Sequence, residues 1–440
     1  MMFHKTKKIA TNFSTTVSSG LASNLSVTLF GHQKISIRDV SKARQYINDY
    51  WSKLERYHPK DDDNLIGLPN QYLVPAYEKG HEFDFNELYY WDSYFMIQGI
   101  LDEEHKQLVI GVLDNLIYLF NRFGIIPNAS RTYLTGRSQA PFLTSFIFEV
   151  YEAYDLGIDW LKERMPIAEE EYSTVWMGTF KPNARQVYHG LSRYYDINYI
   201  NDLAEAESGW DMTTRYSRRC LDYLPVDLNS LLYKYETDFA KYYRLLNKDK
   251  TASQWDSAAE HRKREMNKLM WSNLRGLYYD YNFIKEKRGA IGSLAAFYPM
   301  WAGLVDAEKA KLLVKALKRF EQKGGLATTE SQQLSKFTPG TIPTQWAYPN
   351  GWAPLQYMVI KGLERYGYHE EAKRLSLKWL KTNLDWFDEH GVFIEKYNVV
   401  SPTKPPAKGL YPSQTGFGWT NAVFEKLCQD YIDPITEENT

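Results

Sequence analysis

Six stretches of this chain crowd aromatic rings, amides and a charged or polar group into a few residues each. They are Phe85-Asn86-Glu87-Leu88-Tyr89-Tyr90-Trp91-Asp92; Pro127-Asn128 followed by Arg137-Ser138-Gln139; Glu207-Ser208-Gly209-Trp210-Asp211; Gln345-Trp346-Ala347-Tyr348-Pro349-Asn350-Gly351-Trp352; Glu395-Lys396-Tyr397; and Gly416-Phe417-Gly418-Trp419-Thr420-Asn421. Sugars are bound by this mixture, because flat aromatic faces cover the apolar C–H side of a pyranose while amides, guanidinium and carboxylates take its hydroxyls. A single cluster is explained equally well by core packing with satisfied polar tips. Six in one chain favour a carbohydrate pocket.

Cleaving a glycosidic bond needs one protonated carboxyl to protonate the leaving oxygen and a second, ionised one on the other side of the ring. Asp211 after Gly209-Trp210 and Glu395 after Ile394 are candidates, since both sit among apolar and aromatic neighbours whose desolvation raises a carboxyl pKa. Asp92 and Glu87 compete for the same roles, and residue chemistry alone leaves the pair open. Other chemistries lack their residues. The nine His are scattered without a His-Glu-x-x-His helix, and Asp61-Asp62-Asp63 lacks the Gly and terminal Glu of a calcium loop. Gly416-Phe417-Gly418 is a lone Gly-x-Gly, and no Gly-x-Ser-x-Gly elbow occurs. No metal and no cofactor are expected.

The elements that must carry these clusters read as helices. Residues 307–320 place Leu313, Ala316, Leu317 and Phe320 on one face and stop at Gly324-Gly325; residues 108–123 stop at Gly124. Residues 226–246 repeat Leu228, Leu231, Leu232, Tyr235, Phe239, Tyr242 and Leu246 at helical spacing, and 357–366 and 370–384 form another pair. Convincing strands are scarce. Residues 271–279 and 386–394 share Trp, Gly and a following apolar pair, which suggests recurring helical hairpins whose loops gather on one face around a central pocket. An irregular arm is expected over 1–35, rich in Ser, Thr and Asn, ahead of a single domain over 36–440.

Composition narrows the partners. Fifty-three Lys and Arg against 54 acidic residues leave a net charge of -1, with no positive excess for nucleic-acid phosphates. Aromatic residues reach 15%, which suits a large core or a sugar cleft. No window approaches 18 apolar residues, and the basic start His4-Lys5-Thr6-Lys7-Lys8 is not followed by an apolar stretch of roughly 7 to 15 residues, so neither a membrane span nor a secretory signal is expected. Cys220 and Cys428 are too few for a disulfide framework. The expectation is a cytoplasmic protein whose partner is a small sugar.

Together the clusters resemble the trehalases of glycoside hydrolase family 37, in matching order over roughly residues 36 to 428. Residues 87–95, Glu-Leu-Tyr-Tyr-Trp-Asp-Ser-Tyr-Phe, resemble the second half of the first trehalase signature, and residues 345–354 resemble the second. The resemblance implies an all-α (α/α)6 toroid with long active-site loops and an inverting hydrolase of α-glucosides. It places Asp211 at the family's general-acid position and Glu395 at its general-base position. Phe85, Tyr89, Trp91, Asp92, Asn128, Arg137, Gln139, Trp346 and Trp352 are the matching sugar-pocket candidates.

The departures concern specificity. Asp84 stands where the family signature has a sugar-binding Arg, and Ala347 replaces the Asp of Gln-Trp-Asp. The family's Arg-Pro-Arg-Pro-Glu-Ser stretch is missing between Arg193 and Glu205, and the Gly-Glu-Tyr of the family's lid is replaced around Lys408-Gly409-Leu410-Tyr411. Each charged partner of a sugar hydroxyl is worth roughly 1.5 to 3 kcal/mol, so Asp84, Lys396, Lys408 or another newcomer must compensate if trehalose is the substrate. The expected reaction is hydrolysis of trehalose to two glucose. The alternatives are the same chemistry on a glucosyl-polyol or another glucobiose, or a sugar-binding relative without catalysis.

Overall fold

The computed structural model describes residues 26–28, 34–77, 85–179, 181–331, 344–407, 409 and 413–437. In chain order its helices are α1 (Ile37–Leu54), α2 (Tyr90–Ile97), α3 (Lys106–Phe123), α4 (Leu143–Ala153), α5 (Ile158–Glu171), α6 (Asn201–Glu207), α7 (Val226–Leu245), α8 (Asp249–Leu269), α9 (Tyr298–Ala302), α10 (Ala307–Ala316), α11 (Ala353–Arg365), α12 (His369–His390), α13 (Gly418–Tyr431) and α14 (Asp433–Glu437). Local signals set their ends. Ser36 caps α1 by accepting from the Asp39 amide at 3.4 Å, Asp306 caps α10 by accepting from the Lys309 amide at 2.8 Å, and Gly124 and Gly391 close α3 and α12 at φ 67° and 70°.

Burial sorts the helices into two layers. All eight residues of α2 are buried, as are most of α7, α11 and α13, the signature of interior helices. By contrast α8 buries only Ala252, Ala259, Arg262, Met266 and Leu269, one stripe of an amphipathic helix. The inner helices close a ring: α2 packs on α13, α13 on α11, α11 on α9, α9 on α7 and α7 on α4, and Tyr94 of α2 meets Phe146 of α4 at 6.4 Å. Around it α1 packs on α13, α3 on α2 and α4, α5 on α4 and α7, α8 on α7, and α12 on α11 and α13. With α10, which follows α9 and buries only Ala310, Leu313 and Ala316, six inner helices alternate in sequence with six outer ones among the described residues, which is the (α/α)6 toroid.

Strands are confined to pairs of two or three residues in the connections and one three-stranded patch. Two sequence expectations are corrected there. The helix predicted over 307–320 ends at Ala316, a 3-10 turn runs to Arg319, and Gly324 lies in the turn and Gly325 at the start of the second strand of a hairpin pairing Glu321–Gln322 with Gly325–Leu326, rather than at a helix cap. Likewise Gly276 turns a hairpin pairing Trp271–Ser272 with Leu277–Tyr278, whereas Gly391 caps a helix, so the two Trp-Gly segments differ in conformation. The reason is common to both: a positive-φ glycine serves a helix end or a hairpin equally well. Within the expected arm, Ser26–Thr28 pairs antiparallel with Lys34–Ser36, while 1–25 and 29–33 lie outside the described residues.

Candidate active site

The loops that leave the inner helices are stitched to one another by backbone contacts. Single bridges join Tyr89 to Ala129, Thr213 to Trp346 and Ile394 to Thr415, and Asn350–Trp352 pairs antiparallel with Lys396–Asn398. Segments far apart in sequence thereby surround one cavity of about 340 Å³. Of the predicted residues, Asp211, Glu395, Phe85, Tyr89, Trp91, Asp92, Asn128, Gln139 and Trp346 line it. Two do not. Trp352 is wholly buried behind Trp346, stacked on it at 3.7 Å and 3°, and half-buried Arg137 reaches the site through its charge on Asp211. Family matching marks positions near the sugar without separating the wall from the layer behind it.

Backbone geometry brings the acid candidate inward. Gly209 has φ +75°, and a Cβ there would stand 2.6 Å from the Trp91 ring, so only glycine lets the Trp210-Asp211 loop lie against Trp91. Glu207, fully buried, anchors the same loop: it accepts from the Ser138 amide at 2.8 Å and the Tyr195 amide at 2.7 Å and is ion-paired with Arg185. Gln139 ties a second pair, accepting from the Trp91 amide at 2.9 Å and bonding the Asp92 carboxyl. Asn128 donates to the Ser138 and Ala206 carbonyls at 3.3 and 3.2 Å, which joins its loop to both.

Electrostatics separates the four carboxyls. Burial raises Asp211 to about 7, with the charge of Glu395 adding to it and that of Arg137 opposing. Burial likewise raises Asp92 to about 8, reinforced by Asp211 and Glu395 and opposed by hydrogen bonds from its own amide and Gln139. Two carboxyls of the cavity thus hold their protons near neutral pH. Glu395 is buried with Lys396, whose Nζ donates to its Oε2 at 2.5 Å, and a cation at that distance favours the carboxylate. Glu87 also lines the cavity but is already engaged, accepting from Arg131 at 3.0 Å and from the Tyr89 hydroxyl at 3.1 Å.

The wall is aromatic, as the clusters predicted. Trp419 meets Trp91 and Trp346 edge-on at 5.9 and 6.1 Å, and its indole N–H donates to the Glu395 carbonyl at 3.2 Å. Pro75, Tyr133, Gln414, Phe417 and Trp419 also line the cavity. Of these, Phe417 and Trp419 lie in a quoted cluster, whereas Tyr133, on the turn just after Asn128, carries no signal of its own in a chain with 34 Tyr. Lys396 is spent on Glu395, while Asp84, Lys408 and Leu410 lie outside the described residues. Ala347 is buried. Among the described residues no group of three or more His, Cys, Asp and Glu could hold a metal ion, and no helix is long and apolar enough to cross a membrane.

The chain is similar to known proteins in sequence and in fold. The family model described as Trehalase matches residues 22–202 and 198–431. A cytosolic neutral trehalase of Kluyveromyces lactis is 31% identical over 433 residues, covering 82% of this chain and 56% of the relative. A periplasmic trehalase of Salmonella newport is 32% identical, covering 89% of this chain and 74% of the relative. Among solved structures, the neutral trehalase Nth1 from Saccharomyces cerevisiae superposes with a TM-score of 0.72 at 29% identity, over 85% of this chain and 76% of that one. The chain spans little more than half the length of the fungal relatives it matches.

Proposed function

The chain belongs to the trehalase family, and from that premise we propose that it hydrolyses an α-glucoside with inversion, trehalose to two glucose. The observation that carries the reading is the convergence of Asp211 and Glu395 on one aromatic-walled cavity, one carboxyl raised to about 7 and the other bonded to a lysine. Asp211 acts as general acid, handing its proton to the glycosidic oxygen as the C–O bond breaks. Glu395 acts as general base, taking a proton from the water that attacks the anomeric carbon from the opposite face. Asp92 and Gln139, already bonded to each other, take sugar hydroxyls, and Trp91, Trp346 and Phe85 take the C–H faces.

The absence of a carboxylate at Ala347 supports a second reading, the same chemistry on a glucosyl-polyol or another glucobiose. Release of glucose from trehalose, from other α-linked glucobioses and from a glucosyl-polyol, measured side by side, decides between them. No turnover of any α-glucoside would return the chain to a sugar-binding role. We further take residues 36–440 as one domain and place the protein in the cytoplasm, a reading supported by the free, buried thiols of Cys220 and Cys428 and by cytosolic relatives, beside a periplasmic one.

A further inference from the structure

Five buried side chains form a continuous run of ring contacts through the site. The Arg215 guanidinium lies 4.3 Å from the Trp210 ring centre, Trp210 stacks on Trp346 at 5.6 Å, Trp346 stacks on Trp352 at 3.7 Å, and the Lys396 ammonium sits 4.9 Å over Trp352. The order is cation, three indoles, cation. Two members adjoin the two carboxyls: Trp210, next to the Arg215 end, precedes Asp211, and Lys396, the other end, follows Glu395 and bonds it.

Both ends and the middle are anchored. Arg215 is held by Asp227 at 2.7 and 3.0 Å and by Asp280 at 2.8 and 3.0 Å. Trp346 is fixed to the acid's loop by the Thr213 hydroxyl, which donates to its carbonyl at 3.0 Å. Trp352 faces Lys396 across the paired strands. Cations seek the negative faces of indoles, and close-packed rings pass on a displacement instead of absorbing it.

We propose that this run is a positioning device that holds Asp211 and Glu395 at a set separation across the cavity, with Trp352 as a positioning residue acting through Trp346 and Lys396. It rests on the assignment of acid and base above. A hydrolase that must admit a water between base and anomeric carbon depends on that separation, because small misplacements of reacting groups cost orders of magnitude in rate. Trp352 is the member to test, since it is not among the residues lining the cavity and makes no ion pair.

The experiment compares wild type, Trp352→Leu and Trp352→Phe on whichever α-glucoside the wild type turns over fastest, with folding checked by thermal melting and by the circular-dichroism couplet that stacked indoles produce. Both variants should lose the Trp346–Trp352 couplet. Trp352→Leu should lower kcat about tenfold or more with KM within about twofold of wild type, and Trp352→Phe, which keeps a ring face, should recover most of the rate. A folded Trp352→Leu with wild-type kcat overturns the proposal, as does a rise in KM at unchanged kcat, which marks a substrate contact. If Trp352→Leu does not fold, Trp352→Phe decides alone: a modest fall in kcat supports the device and an unchanged kcat overturns it. An inactive wild type speaks against the proposed hydrolysis, whereas an active wild type with indifferent variants speaks against the positioning device.

Discussion

Lys396 Nζ lies 2.5 Å from Glu395 Oε2, both side chains are buried, the ammonium sits over the Trp352 ring, and the Trp419 indole N–H donates to the Glu395 carbonyl. Neighbours in sequence, they sit where the pairing of Lys396–Asn398 with Asn350–Trp352 begins. An ammonium bonded to the base favours its ionised form, so Lys396→Met should move the acid limb of the kcat/KM profile to higher pH and lower the rate at pH 5 to 6 by about tenfold. Lys396→Arg, which keeps the charge, should recover part of it. An unmoved acid limb in folded Lys396→Met would show that the lysine does not set the ionisation of Glu395.

The opposite limb belongs to the acid. A general acid works only while protonated, so kcat/KM should fall as pH rises through about 7, the value to which burial and Glu395 lift Asp211. Asp92 titrates in the same cluster, so the limb reports the group of carboxyls and not one residue.

Substitution separates the two roles. Asp211→Asn should cripple turnover of ordinary glucosides but spare α-glucosyl fluoride, whose leaving group needs little protonation. Glu395→Gln should reduce both by about 100-fold or more. Proton NMR of the first product should show β-glucose from the cleaved α-linked residue; α-glucose would exclude inversion.

The same shifts predict a stability signature. Asp92 and Asp211 have folded-state pKa values raised above those of the unfolded chain, so the folded protein binds more protons over that interval and its stability falls as pH rises from about 4 toward 8. Asp92→Asn and Asp211→Asn should therefore be more stable than wild type at pH 8, by something on the order of 1–3 kcal/mol and with a higher melting temperature, the gain shrinking toward pH 4. Thermal melts at the two pH values check this; a loss of stability at pH 8 would mean that these carboxylates hold the fold together.

Tyr133 predicts where aglycone choice resides. It is 63% exposed while lining the cavity, unlike Trp91 and Trp346, which are buried, and its turn is pinned by the Arg131–Glu87 ion pair and the Thr132 amide bonded to the Asn64 carbonyl at 2.9 Å. Tyr133→Ala should lower kcat/KM for a glucobiose relative to α-glucosyl fluoride, which carries no aglycone sugar, by about fivefold. An unchanged ratio would place aglycone recognition elsewhere.

The sequence by itself determined the helical architecture and the inventory of the site. Period and the glycine stop were local: Gly124 closes its helix within one turn, so reading it needs no tertiary contact. Cluster chemistry was local too, and nine of the eleven residues that the family resemblance picked out within the clusters line the cavity, namely Asp211, Glu395, Phe85, Tyr89, Trp91, Asp92, Asn128, Gln139 and Trp346. Tertiary structure decided the rest. Trp352 and Trp346 stand six positions apart and look alike in sequence, yet one forms the wall and the other backs it, because strand pairing with Lys396–Asn398 turns Trp352 inward. Glu87 and Asp92 were rivals on paper; Arg131, 44 residues from Glu87, holds it in an ion pair, while Asp92 is raised by burial and then by the two carboxyls that the folded ring brings beside it. Desolvation and charge depend on what lies within a few ångströms in space, and in a closed ring of helices those neighbours come from the whole length of the chain.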